Sequence, residues 1–288
     1  MNQEEVKKLK VLSAKIRLNI LKMLEKRGYG HLGGSLSIVE CMSVLYGKQL
    51  RYDANNPLWE DRDMVVLSKG HCGPAWYSAL AESGFFSKDL LFTLNEGGTK
   101  LPSHPDRMKT PGVDMTTGSL GQGISAAAGI AMGMRLRRKN QYVYAIVGDG
   151  ELNEGQCWEA LQFIAHYKLH NCIVMIDDNK KQLDGNTKDI MNPFDFVKKM
   201  EAFGFKVWKV KGDDEQAIDE AIVQAKQVKD QAVCIVLDTI KGQGVPYFEN
   251  LIDNHSVKYN SQEMIEENHK AIYELQSYLE KENSVCTH

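Results

Sequence analysis

The chain has 288 residues, 43% hydrophobic and 25% charged, a composition that supports a large globular core. Its 35 basic and 38 acidic residues leave a net charge of −3, which gives no footing for a nucleic-acid or anionic-membrane surface. No stretch approaches 18 consecutive apolar residues and the polar N-terminus has no signal-peptide h-region, while six scattered cysteines form no C-x-x-C pair, so a soluble chain with free thiols in a reducing cytoplasm is expected.

Residues 3–27 carry Val6, Leu9, Leu12, Ile16, Ile20, Met23 and Leu24 at three- and four-residue spacing, which predicts an amphipathic helix ended by Gly28 and Gly30. A second helix is expected from Ile38 to Leu50, with Ser37 as its cap and Glu40 as the capping-box partner. Met64–Leu67 reads as a short buried strand, and residues 73–84 and 87–94 as helical. Residues 97–117 form a polar loop of Gly and Pro, long enough to suggest a functional role. Residues 121–139 read as a small-residue helix suited to close packing, ending in the basic cluster Arg135, Arg137, Arg138 and Lys139, which suits the negative end of the helix dipole. Thereafter strands (142–148, 171–177, 206–210, 232–239) alternate with helices (154–168, 193–203, 214–229), and a polar helix follows at 261–282. This alternation predicts a single α/β domain over residues 1–288, a parallel sheet covered by helices on both faces.

The local chemistry concentrates at two strand ends. Gly148-Asp149-Gly150 closes the apolar run Tyr142–Val147, and Asp177-Asp178-Asn179 closes the run 171–176. Asp149 and Asn179 are hard oxygen ligands of the kind magnesium takes, and open α/β sheets bind ligands outside the carboxyl ends of their strands. Alone, the motif also suits an ordinary tight turn and a surface loop. No G-x-G-x-x-G follows the first strand, which disfavours a dinucleotide-binding reading.

Five segments in order resemble the N-terminal, diphosphate-binding domain of transketolases: Gly30-His31-Leu32-Gly33-Gly34-Ser35-Leu36-Ser37; Asp61–His71 with Ser68-Lys69-Gly70-His71; Ser103-His104-Pro105-Asp106 leading to Thr117–Gly123; Gly148–Gly155 with its Asp-Asp-Asn partner; and Thr239–Gly244 with His255 beyond. The resemblance covers residues 10 to 260 and implies thiamine diphosphate with Mg2+ (or another divalent cation such as Ca2+ or Mn2+). It assigns the metal to Asp149, Asn179 and the backbone carbonyl of Lys181, and the diphosphate to Gly150, His71 and Lys241. Gly118, Ser119 and Leu120 would pack along the cofactor. His31 and His104 would donate to the carbonyl and hydroxyl oxygens of a ketose, acting as groups that titrate near neutrality. His255 joins the cofactor-binding set, although the family's following glycine is replaced here by Ser256. Glu154 would stand at a subunit interface beside the glutamate that activates the cofactor.

That activating glutamate belongs to a pyrimidine-binding domain, and nothing in residues 1–288 resembles it. The resemblance therefore implies the N-terminal subunit of a split transketolase, inactive alone and joined to a C-terminal subunit in a heterotetramer. It would move a two-carbon ketol unit between sugar phosphates, in the carbohydrate chemistry of the pentose phosphates. A deoxyxylulose-phosphate synthase, the first component of a keto-acid dehydrogenase, and a silent regulatory relative are the competing readings.

Overall fold

The computed structural model of the protein describes residues 1–183 and 185–285. Five parallel strands form the central sheet: β1 (Met64–Leu67), β2 (Val143–Gly148), β3 (Cys172–Asp178), β4 (Phe205–Lys211) and β5 (Ala232–Asp238), in the spatial order β1-β2-β3-β5-β4. The inner strands read as unbroken apolar runs because both of their faces are buried. Tyr144, Ile146, Ile173, Met175, Val233, Ile235 and Leu237 pack into one core, and Ala145, Val147, Cys172, Val174, Ile176, Cys234 and Val236 into the other. The period of two along each strand thus divides one sequence between two layers.

Helices α1 (Gln3–Arg27), α2 (Val39–Val44), α3 (Gly73–Glu82) and α7 (Glu215–Gln227) cover the first face. Helices α4 (Gln122–Leu136), α5 (Gly155–His166) and α6 (Phe196–Ala202) cover the second. The last helix, α8 (Gln262–Val285), lies along α1, tied by Asn268 Nδ2 donating to Glu25 (2.8 Å). None of the described helices is long and apolar enough to cross a membrane. Cys41, Cys72, Cys157, Cys172 and Cys234 are buried free thiols, and Cys286 lies outside the described residues.

Several local expectations need correction. Ser37 does not cap a helix. Its backbone is already helical, at the end of a short turn (Gly33–Leu36), and its hydroxyl donates to Gly34 O and to Asp177. Glu40 is drawn instead to Arg17 (2.5 Å) and Gln243 (2.8 Å). Helix α4 stops at Leu136 because Arg138 turns into the left-handed region (φ 56°). Helix α6 starts only at Phe196: Phe194 is left-handed (φ 55°), and Asp195 caps the helix by accepting from Lys198 N–H. A two-residue antiparallel ladder, Tyr29–Gly30 with Val257–Lys258, was not expected, and it joins chain segments far apart in sequence.

Candidate active site at the carboxyl ends of the strands

The sheet register sets the site. Gly148 at the end of β2 lies opposite Asp177 at the end of β3, so the two oxygen-bearing loops leave the sheet side by side. Asp149 is 3% exposed, and its carboxylate accepts from Gly150 N–H (2.8 Å) and Lys180 N–H (2.8 Å). Burial pushes its pKa up to about 7, aided by the neighbouring Asp177. Asn179 is 6% exposed; its Nδ2 donates to Asp177 (2.7 Å), so its Oδ1 faces the other way and accepts from Lys181 N–H (3.1 Å). Among the described residues no three His, Cys, Asp or Glu side chains are grouped as a metal cluster. One carboxylate, one amide oxygen and one backbone carbonyl are instead a hard-oxygen set that leaves coordination positions to phosphate and water, as magnesium prefers.

Above these loops lies a cavity of about 400 Å3, lined by His31, His71, His104, Gly118, Leu120, Asp149, Gly150, Asn179, Lys181, Lys241 and His255 among the expected residues. Two expected residues stand outside its wall: Ser119 and Glu154 are exposed, and Glu154 precedes the first turn of α5. Gly150 has a steric reason: a Cβ there would meet Gln182 at 2.7 Å. Gly121, which opens α4, is left-handed (φ 82°), and a Cβ would strike Gln156.

Four histidines meet in this cavity. The His31 ring centroid lies 5.6 Å from that of His71, 5.4 Å from His104 and 5.2 Å from His255, and His71 lies 4.7 Å from His255. Burial makes all four less basic than a free imidazole, to about 4 at His31 and about 3 at His255, with neighbouring cations adding to the effect there. They are therefore neutral at pH 7 and able to donate or accept, which corrects the expectation that His31 titrates near neutrality.

Hydrogen bonds from backbone and side chain bring these segments together. Gly33 N–H donates to Asn254 O (2.9 Å), Gly242 N–H to Gly33 O (3.0 Å), and Asn254 Nδ2 to Lys241 O (2.8 Å). Lys241 is 3% exposed, with its Nζ 3.3 Å from His255 Nδ1. Its pKa is pulled down by burial to about 8, against the raising influence of the Asp149 carboxylate. Thr117 Oγ1 is buried without a partner. A cationic, hydrogen-bond-donating floor beside a hard-oxygen triplet fits a metal-bound diphosphate.

Two positioning groups escaped the sequence reading. Asp177, fully buried, accepts from Lys69 Nζ (2.5 Å), Thr239 Oγ1 (2.5 Å), Ser37 Oγ (2.7 Å) and Asn179 Nδ2 (2.7 Å). Burial opposes both charges, yet each partner more than offsets it, leaving the carboxyl below and the ammonium above their usual ranges. Glu151 likewise accepts from Ser68 Oγ (2.6 Å), Gly121 N–H (2.8 Å) and Gly148 N–H (3.1 Å), binding three of the loops to one carboxylate. The only sequence signal for Asp177 was its place at the end of an apolar run, which Asp178 shares.

The sequence profile described as "Transketolase, thiamine diphosphate binding domain" matches residues 8–285. A 6-deoxy-6-sulfo-D-fructose transketolase subunit of Clostridium sp. (strain MSTE9) is 46% identical over 244 residues, 84% of this chain and 88% of that protein. An apulose-4-phosphate transketolase subunit from Actinobacillus succinogenes is 38% identical over 226 residues, covering 78% of this chain and 82% of that one. Among solved structures, the transketolase of Campylobacter jejuni superposes with a TM-score of 0.85 at 30% identity, over 94% of this chain and 43% of that longer chain.

Proposed function

Because the chain belongs to the transketolase family, as its thiamine diphosphate binding domain, we propose that it is one subunit of a heteromeric transketolase that transfers a two-carbon ketol unit from a ketose to an aldose. The observation that carries this reading is the convergence of Asp149 and Asn179, from adjacent strand ends, on a cavity walled by four histidines and Lys241. Two relatives are named as subunits, and a partner chain bringing the pyrimidine-binding half is part of the proposal; a heterotetramer satisfies it. One of those relatives is named for a sulfonated sugar and the other for a phosphorylated one. The shared chemistry is a sugar with an oxyanion on its chain, and we carry only that to this protein.

Thiamine diphosphate supplies the nucleophilic carbon that receives the ketol unit. Asp149, Asn179 Oδ1 and the Lys181 carbonyl would hold the divalent cation, Mg2+ or a similar hard ion. Lys241 would neutralise the diphosphate, and His71 together with the unobstructed backbone at Gly150 would orient it. Gly118, Ser119 and Leu120 would border the ring system, where a Cβ on Gly118 would lie in ordinary contact with the His104 ring at 3.4 Å. His31 and His104 would bind the sugar's carbonyl and hydroxyl oxygens and pass protons to and from them, and His255, in ring contact with His31 and His71, would hold the arrangement against the cofactor. Neutral imidazoles suit these exchanges because a ring can give a proton at one nitrogen and take one at the other. Glu154, exposed at the start of α5, would meet the partner subunit.

Native mass spectrometry of the complex from source cells tests this reading. A second chain of similar size, with added mass for thiamine diphosphate and a divalent ion, is expected, and the complex should transfer ketol units between sugars. A cofactor-free homodimer without transfer activity would overturn it and favour a regulatory relative.

A further inference from the structure

Lys181 is the member of the hard-oxygen set with the least support from the sheet. It stands on a hairpin of two residue pairs, Lys181–Gln182 against Gly185–Asn186, and a ladder that short contributes little stability of its own. Two consecutive lysines hold it from different sides. Lys180 is left-handed (φ 69°) and sends its Nζ back to the sheet, where it donates to Asp178 O (2.8 Å) and pairs with the carboxylates of Asp178 and Asp238 at the ends of β3 and β5. Lys181 reaches instead to the segment that leads to His255. Its Nζ donates to Glu249 O (3.1 Å) and Leu251 O (2.7 Å), at the end of the short helix Pro246–Asn250. Carbonyls at a helix end lack a partner within the helix, and Asn254 Nδ2 takes another of them, Phe248 O (2.7 Å). The Lys181 N–H donates to Asn179 Oδ1 (3.1 Å). The residue is thus anchored at its amide and at the tip of its side chain, which leaves its carbonyl little freedom to swing.

We propose that the Lys181 side chain is a positioning group for the cation: by tying the hairpin to the carbonyls of Glu249 and Leu251, it holds the Lys181 carbonyl in place for the divalent ion and sets how tightly, and which, ion is bound. The proposal rests on the cofactor reading above. Magnesium demands near-ideal octahedral geometry, whereas calcium accepts a looser shell, so a pinned carbonyl matters more to magnesium. Charge acts in the opposite direction. An ammonium on the same residue repels a cation, and its removal would by Coulomb's law alone tighten metal binding. Weaker metal binding after neutralisation of this lysine is therefore the mark of lost positioning.

The test uses the complex reconstituted with its partner chain, unmodified and as K181M and K181R, and follows thiamine diphosphate binding by equilibrium titration at increasing Mg2+ or Ca2+. In K181M the Mg2+ needed for half-maximal cofactor binding should rise by about 10- to 100-fold, the range for losing a group that orients a metal ligand. The rise should be smaller for Ca2+, and saturating Mg2+ should restore the affinity for the cofactor. K181R keeps charged donors for the two carbonyls and should recover part of the loss. In the complex without cofactor or metal, hydrogen exchange at the Thr187 amide, which donates to Lys180 O (2.9 Å) within the same hairpin, should quicken in K181M. A Mg2+ requirement that is unchanged or lowered overturns the proposal; with a lowered melting temperature it would mark Lys181 as merely structural. A loss of cofactor affinity that saturating Mg2+ leaves in place also overturns it and assigns the ammonium to the diphosphate. Failure of the transketolase reading looks different: the unmodified complex would bind no thiamine diphosphate with either ion, while the difference in hydrogen exchange would still appear.

Discussion

The buried ammonium of Lys241 gives the sharpest test of the diphosphate assignment. Burial holds its pKa at about 8, so near pH 8 the empty site is an even mixture of ammonium and amine. A diphosphate beside Nζ favours the charged form and should return the group to the ordinary lysine range. Binding must then take up protons: about 0.1 at pH 7, about 0.5 at pH 8 and about 0.9 at pH 9, from the two titration curves. The rise with pH is diagnostic. Histidines already neutral in the empty site, such as His31 and His255, would give an uptake that falls over the same range. Calorimetric titration of the reconstituted complex with thiamine diphosphate, in buffers of different ionisation enthalpy, measures the uptake directly. Lys241→Met should remove its rising part and weaken binding. Uptake that falls with pH, or that survives the substitution, would refute the assignment of Lys241 to the anion.

Asp149→Ala should weaken metal-dependent cofactor binding by more than about 100-fold, since loss of a direct ligand should exceed the effect of losing an outer-shell partner, and a titration of bound cofactor against Mg2+ checks it. His104→Ala should lower kcat by about 10^2 to 10^4, the usual range for acid–base groups, while cofactor affinity measured by equilibrium titration moves little; the reverse pattern would make His104 a diphosphate ligand. Asp177→Ala leaves Lys69 charged and buried, so denaturant unfolding should show a loss of about 3–5 kcal/mol, with less lost in the Asp177→Ala/Lys69→Met double variant. In the cofactor-free protein the unfolded Lys241 binds more protons than the folded one between pH 8 and 10.5, so stability should rise with pH across that window relative to Lys241→Met, as pH-dependent melting would show.

The elements were legible in the sequence where a single period ran unbroken. The apolar runs of β2, β3 and β5 announce strands buried on both faces, and the turn residues at their ends announce the site, so the placing of Asp149 beside Asn179 could be anticipated. Ser37 misled because Ser and Glu at three-residue spacing satisfy the capping pattern, while the pattern carries no knowledge of Arg17 and Gln243 waiting 23 and 203 positions away for Glu40. Asp177 was hidden for a related reason: four donors from four separate segments choose it over Asp178, and no local spacing distinguishes the two. The ladder of Tyr29–Gly30 with Val257–Lys258 is too short to leave any periodicity, and it brings Arg27 and Ser256 into one cavity.

That ladder also orders events during synthesis. His31 emerges early, but its neighbour His255 and the strand that pairs with Tyr29–Gly30 are made more than 200 residues later. Strands β1, β2 and β3 can pair in turn as the chain leaves the ribosome, while β4 waits for β5, which lies between it and β3. The chamber of histidines waits longer still. Until residue 258 is free to pair, the Gly33 amide lacks its acceptor at Asn254, and the His31 turn has nothing to close against. Translation therefore releases a scaffold first and a finished site last, which keeps the binding chemistry silent on incomplete chains.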